Sequence, residues 1–168
     1  MHNDEPCRTI TLTKGQKAIC SEPDFAALSQ HNWHACWDAK SQNYYAGRSM
    51  KIQGQYLNLM MHQVVCFTGL GMEPDHRNGD SLDNSRNNLR PANLSQNRHN
   101  TGKRSNNTSG YKGVIKQLRN GKWNGKWIAR IKNQQQLYYL GIFDDPYEAS
   151  LAYQRKAIEL VGEFTNFG

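Results

Sequence analysis

The feature that most constrains the fold is a polar segment in the middle of the chain. Residues 72–100 are dense in Asn, Asp and Gly and offer few apolar side chains, and residues 101–109 (TGKRSNNTS) offer none. Because such a segment cannot form a core element, the chain cannot build one large core around it. With 168 residues, of which 37% are hydrophobic, the sequence predicts two or three small modules with residues 101–109 as a linker.

The first 70 residues show short segments typical of strands and turns. Residues 8–20 predict a strand, a Gly turn and a second strand, and residues 21–30 predict a helical turn. Two or three further strands are expected in residues 33–60, whereas periodicity leaves residues 62–67 open between helix and strand. The four cysteines show no C-x-x-C spacing, so we expect reduced thiols and a cytoplasmic protein.

Charge is distributed unevenly along the chain. The net charge is +7 overall, and residues 109–143 alone carry seven cations and no acid. A solvated surface normally mixes both signs, so this stretch predicts a surface that faces phosphates, although a merely solubilising role stays open. No apolar run is long enough to cross a membrane, and we therefore expect nucleic acid rather than a membrane as the partner.

The same basic stretch has the pattern of a three-stranded sheet followed by a helix. Strands are predicted at residues 111–118, 126–132 and 136–143, and the middle strand alternates apolar with mostly cationic residues. Asp145 and Pro146 then predict the start of a helix whose apolar face would pack on the sheet. The cationic face of the sheet is expected to point outward.

A second pattern, in the polar segment, concerns chemistry. Asp75 and His76 are adjacent, and Asn88 and Asn97 follow them. Carboxylate and amide oxygens suit Mg²⁺, so Asp75 and Asn97 could hold such an ion. His76 has a near-neutral intrinsic pKa and could take a proton from an attacking water, while the ion steadies the leaving oxygen. The set indicates metal-assisted phosphodiester hydrolysis.

Residues 62–100 resemble the HNH homing-endonuclease family, with a His, a short apolar segment, a D-H pair, an N-L pair and a helical S-Q-N in the family's order. The resemblance implies that Asp75 and Asn97 bind one divalent cation, Mg²⁺ or Mn²⁺. It also implies that His76 is the general base. Asn88 would fix the intervening loop and orient the histidine.

Residues 109–168 resemble the AP2 DNA-binding domain of plant transcription factors and phage endonucleases, on the segments SGYKGVIKQL, GKWIARI, YLGIFDDPYEASLAY and a closing N-F. Members of that family lay their three-stranded sheet in the major groove. The resemblance implies DNA contacts by Lys112, Lys116, Arg130, Lys132 and Tyr139, with Arg119 and Lys126 on phosphates. Ile115 and Gln117 stand where plant members tend to have arginines, so their sequence preference is not expected to carry over.

Simpler interpretations of the polar segment stay open. Asp75 and His76 could be a turn pair without a metal, and Asn84 and Asn87 are more simply turn caps than chemical groups. His62 is more simply a packed or phosphate-touching histidine than a metal ligand.

Together these patterns predict an α+β protein in three parts. These are a small β-rich module at residues 1–60, an HNH ββα-metal core at residues 61–103 and an AP2-like sheet and helix at residues 109–168. The predicted function is a site-specific, homing-type DNA endonuclease with one divalent metal ion and no small-molecule cofactor. It would bind double-stranded DNA as a monomer or a DNA-assembled dimer in a prokaryotic or phage-infected cell. The alternative is a non-catalytic AP2-type transcriptional regulator; an RNA-binding module is a weaker third.

Overall fold

The computed structural model of the protein describes residues 5–167 and shows a mixed α+β fold in which most strand pairs are antiparallel. The chain divides into two compact units, of which the first ends at Asn93 and the second begins at Leu94. The predicted α+β class is confirmed, whereas the three module boundaries stay a prediction. Within the described part of the chain, every helix is too short or too polar to cross a membrane.

The first unit is built from short strands and two short helices. In chain order they are β1 (Cys7–Thr11), β2 (Lys17–Ser21), α1 (Glu22–Leu28), β3 (His34–Asp38), β4 (Asn43–Ile52), β5 (Gln55–Met60), α2 (Met61–Val65), β6 (Glu73–His76), β7 (Asp83–Asn84) and β8 (Leu89–Ala92). Three sheets result, with strand orders β1-β2-β7, β3-β4-β5 and β6-β8, and only the short β2–β7 pairing is parallel among them. The segment at residues 62–67, left open by its periodicity, falls mainly in helix α2.

The core of the first unit lies between its N-terminal strands and the β3–β4 hairpin. Its buried apolar residues are Ile10, Leu12, Ala18, Cys20, Leu28, Trp33, Ala35, Ala46 and Met61. Trp33 is buried with its polar edge satisfied, because its indole Nε1 donates to the Leu28 carbonyl oxygen at 2.8 Å. The cysteines of this unit are free thiols, as the sequence predicted.

The predicted ββα-metal core at residues 61–103 is not shown. The structure pairs β6 with β8 as a two-stranded antiparallel sheet in the first unit, with Asp75 opposite Arg90. The helix that would complete the motif, α3 (Leu94–Asn100), belongs instead to the second unit. The segment between β6 and β8 contains the short strand β7 and is otherwise a loop held by hydrogen bonds of its own Asn and Asp side chains.

The second unit contains one three-stranded antiparallel sheet and one long helix. After α3 come β9 (Val114–Arg119), β10 (Lys122–Asn133), β11 (Gln136–Phe143) and α4 (Pro146–Val161), and β10 is the central strand. The β9–β10 hairpin turns on Asn120 and Gly121, whose φ angles are 49° and 76°. Positive φ at both central residues suits the right-handed twist of the flanking strands, which is why Asn-Gly marks this turn.

Helix α4 begins and packs as the sequence predicted. Asp145 is its N-cap and accepts a hydrogen bond from the Tyr147 backbone nitrogen at 2.8 Å, and Pro146 occupies the first turn. One face of the sheet packs on this helix through two buried clusters. Their members are Val114, Trp127, Ala129 and Ala149 in one, and Ile131, Tyr153 and Ala157 in the other. The opposite face of the sheet therefore lies away from the unit's core.

Candidate nucleic-acid interface

The carboxylate predicted as a metal ligand is neutralised by a cation of the chain itself. Asp75 is 4% exposed, and its Oδ2 accepts a hydrogen bond from Arg90 Nε at 2.8 Å in a pair that is buried on both sides. The antiparallel register of β6 and β8 brings the two side chains together. A divalent cation at Asp75 would lie beside a buried guanidinium, and like charges repel strongly where water is excluded. The described residues therefore do not fit the predicted ion at this position.

His76 is buried and lies among the partly buried rings of Tyr45 and His62. Its Nε2 lies 3.4 Å from Asn84 Oδ1, and its ring centroid lies 5.3 Å from that of His62. Burial lowers the pKa of both histidines, that of His62 to about 4 with a further contribution from neighbouring His76. The lowered pKa values favour the neutral form of both imidazoles. The sequence treated Asn84 as a turn residue and missed its contact with His76.

Asn88 fixes the loop between β6 and β8. Its Oδ1 accepts from the Asn78 backbone nitrogen at 3.0 Å, and its Nδ2 donates to the Asp83 carbonyl oxygen at 2.7 Å. These bonds fix the loop, and the further role of Asn88 in orienting His76 stays a prediction; Asn84 Oδ1 also lies within reach of the histidine ring. Asn97 lies on α3, in the other unit from Asp75. Among residues 5–167, no three His, Cys, Asp or Glu side chains are grouped so that they could hold a metal ion.

The second unit exposes the sheet face that points away from α4, which we call the open face. Cross-strand partners share a face of a sheet, so the register identifies its members. In β10 they alternate with the buried residues and pair with side chains on both neighbours. The open face consists of Ile115, Gln117, Ile128, Arg130, Lys132, Leu137, Tyr139 and Ile142.

Three of the seven predicted DNA-contacting residues lie on the open face, namely Arg130, Lys132 and Tyr139. Arg130 is exposed opposite Tyr139, and Lys132 is exposed opposite Leu137. Arg119 is exposed at the end of β9, beside the Asn120–Gly121 turn. The open face thus carries two cations and a phenol, an exposed arginine lies beside one end of it, and none of its eight residues is acidic.

Lys112 has a structural role in this fold. Its Nζ is hydrogen-bonded to the backbone carbonyl oxygens of His99 at 2.6 Å, Thr101 at 2.5 Å and Asn166 at 3.1 Å. Burial lowers its pKa to about 8. Its ammonium is therefore directed at the chain, and the predicted DNA contact is not what the geometry supports.

Two further predicted contacts are placed differently from expectation. Lys116 pairs with Trp127 across the sheet, which puts it on the helix side, and its Nζ lies 4.7 Å from the centre of the Trp123 ring. Lys126 forms an ion pair with Asp144 at 2.6 Å between two solvent-exposed side chains. An exposed pair of this kind contributes about 0–1 kcal/mol, so Lys126 can exchange its partner for a phosphate.

Comparison with known proteins gives one relative by sequence. The chain is 39% identical over 69 residues to the ethylene-responsive transcription factor ERF069 of Arabidopsis thaliana, a match that covers 37% of this chain and 43% of the relative. The chain thus spans less than half of that relative's length. No family model matches, and no solved structure matches.

These findings contradict the prediction of a metal-dependent endonuclease. The relative is a transcription factor, no family model matches, and the described residues show no group of three His, Cys, Asp or Glu side chains that could hold a metal ion. The physical reason is visible in the first unit, where Asp75 is neutralised by Arg90 and the buried His76 lies among partly buried rings. What the similarity does suggest is an AP2-like DNA-binding domain within this chain.

Proposed function

We propose that the protein is a non-catalytic regulator that binds duplex DNA through the open face of β9, β10 and β11. The observation that carries the proposal is a sheet whose inner face is covered by α4 and whose outer face presents Arg130, Lys132 and Tyr139. The similarity to a plant transcription factor supports the same conclusion.

The dimensions of the open face suit the major groove. Neighbouring strands lie about 4.8 Å apart, so the axes of β9 and β11 are separated by roughly 10 Å. The major groove is about 12 Å wide and admits a narrow sheet. Arg130, in the second half of the middle strand, can present its planar guanidinium to guanine N7 and O6, which is the commonest specific contact in that groove.

Charge at the margins of the sheet would hold the protein on the phosphates. Arg119 and Lys122 flank the turn of the β9–β10 hairpin, where they are paired across the strands and are both exposed. Lys126 lies on the same strand as Arg130. It can bind a phosphate when its ion pair with Asp144 breaks. Phosphate contacts supply most of the sequence-independent affinity, and base contacts on the open face supply the preference for one site.

The test is selection of a binding site from a random duplex library with the full chain, in the presence of a chelator, followed by titration of variants. Arg130→Ala should weaken binding to the selected duplex about 10- to 100-fold and relax the preference at one base pair. Arg155→Ala is the matched control, because it removes the same charge from the exposed side of α4. Lys132→Ala should reduce the dependence of log affinity on log salt by about 0.9.

Two outcomes would contradict the proposal. Equal losses for Arg130→Ala and Arg155→Ala would mean that the open face does not contact DNA. Hydrolysis of duplex DNA that requires a divalent cation and disappears in His76→Ala would mean that the protein is not a non-catalytic regulator.

A further inference from the structure

The open face carries an apolar row that crosses all three strands. Ile128 in β10 pairs with Ile115 in β9 and with Ile142 in β11, so three isoleucines lie side by side across the sheet. Ile115 is 36% exposed and Ile142 is 44% exposed. Neither buried cluster of the second unit includes any of the three. A cationic surface for phosphates alone would not require such a row.

The row is bordered by groups that recognise nucleic acid. Arg130 follows Ile128 by two residues on the same face, about 7 Å further along the strand. Gln117 follows Ile115 in the same way, and its Oε1 accepts a hydrogen bond from Asn124 Nδ2 at 2.9 Å. Residues 109–143 contain no acid, and Asp144, which follows them, is ion-paired with Lys126, so the net charge around the row is positive and favours a polyanion that offers an apolar group at its centre.

The major groove offers one such group. Among the base edges exposed there, the C5-methyl of thymine is the apolar feature, and the remaining positions are hydrogen-bond donors and acceptors. Glutamine pairs with adenine N6 and N7, so Gln117 favours the same kind of base pair. Apolar contact and amide recognition on β9 thus both select A·T pairs.

We propose that Ile115, Ile128 and Ile142 read thymine methyl groups and so make the protein select A·T pairs beneath the row. A G·C pair read by Arg130 is then expected about two base pairs away, because base pairs are stacked 3.4 Å apart and the two side chains are separated by about 7 Å. This inference rests on the proposed DNA-binding function and adds the chemical class of the bases recognised.

The experiment replaces thymine by deoxyuridine in the selected duplex, one position at a time. This exchange removes a methyl group and leaves the hydrogen bonds of the base pair unchanged. Each methyl beneath the row should contribute about four-fold in affinity, as expected for one buried group of that size. Ile128→Ala should bind the thymine and deoxyuridine duplexes nearly equally, whereas Ile158→Ala, an exposed isoleucine on α4, should keep the four-fold difference.

The outcomes separate this inference from the proposed function. If the library yields no preferred duplex, the proposed function itself fails. If a duplex is selected and Arg130→Ala weakens its binding, but thymine and deoxyuridine bind equally at every position, the function stands and the methyl-reading inference is overturned. Because that comparison uses the unchanged protein, it does not depend on the folding of Ile128→Ala.

Discussion

Replacing Lys112 by methionine tests whether this side chain stabilises the second unit. Its ammonium joins residues before β9, His99 and Thr101, to Asn166 near the end of the chain. Methionine retains most of the apolar stem but removes the ammonium donor from three carbonyl oxygens, of which that of His99 keeps a second donor, the Asn166 backbone nitrogen at 3.3 Å. The exposed Thr101 carbonyl can bind water instead, so the loss falls mainly on the two part-buried acceptors.

The magnitude follows from those two bonds. A hydrogen bond from a charged donor contributes about 1.5–3 kcal/mol, and the low end applies because the site is only partly buried. Removing the ammonium also relieves its desolvation, which is the cause of its lowered pKa. We therefore expect the free energy of unfolding of the second unit to fall by about 2 kcal/mol.

Amide hydrogen exchange in β9, β10 and β11 measures this quantity for the second unit without requiring the whole chain to unfold in one step. A loss of about 2 kcal/mol corresponds to roughly 30-fold faster exchange of the most protected amides. Lys122→Met is the matched control, since Lys122 is exposed and such changes are usually within about 0.5 kcal/mol. Equal exchange in the two variants would refute the structural role of Lys112.

Two further perturbations test the interior of each unit. Gly113→Ala should destabilise the second unit by about 2–4 kcal/mol in the same hydrogen-exchange measurement, because φ is +74° and a Cβ would overlap the Tyr153 ring. Gly110→Ala is the control, since Gly110 has φ +81° but open space around it and should show only the smaller cost of a side chain at positive φ. In the first unit, the pKa of His62 is lowered to about 4, so below about pH 6.5 the unfolded chain binds a proton more readily than the folded chain does. The free energy of unfolding should therefore fall as pH drops from 6.5 to 4, by up to about 3 kcal/mol. Urea unfolding between pH 4 and 7 measures this loss, and a His62→Phe variant with the same pH dependence would rule out His62 as its source.

The second unit was predictable from local pattern to a large extent. The two-residue alternation around Trp127 in β10 is a strong strand signal, and Asp145 with Pro146 marks the start of α4 in a way that few other sequences do. These features depend on neighbours within a few residues. The sequence predicted that β9 begins at residue 111, three residues before its start at Val114, because the pattern does not show that Gly113 adopts a positive φ beside Tyr153.

The details of both sites depend on contacts that local pattern does not contain. Asp75 meets Arg90 only because β6 and β8 pair in one particular register across 15 residues. Lys116 was expected on the outer face, but an irregularity in the pairing between Trp123 and Trp127 accompanies its position on the helix side. Composition alone could indicate a cationic surface, but it could not show which cations the chain itself uses.

The buried pair formed by Asp75 and Arg90 also restricts which substitutions this sequence can tolerate during evolution. Losing either partner alone leaves a buried charge uncompensated, at a cost of about 3–5 kcal/mol, which is a large share of a domain's 5–15 kcal/mol. Replacing both by apolar residues of similar volume is often neutral. Descendants of this chain should therefore keep the two residues together or lose them together, and the two positions should covary across related sequences.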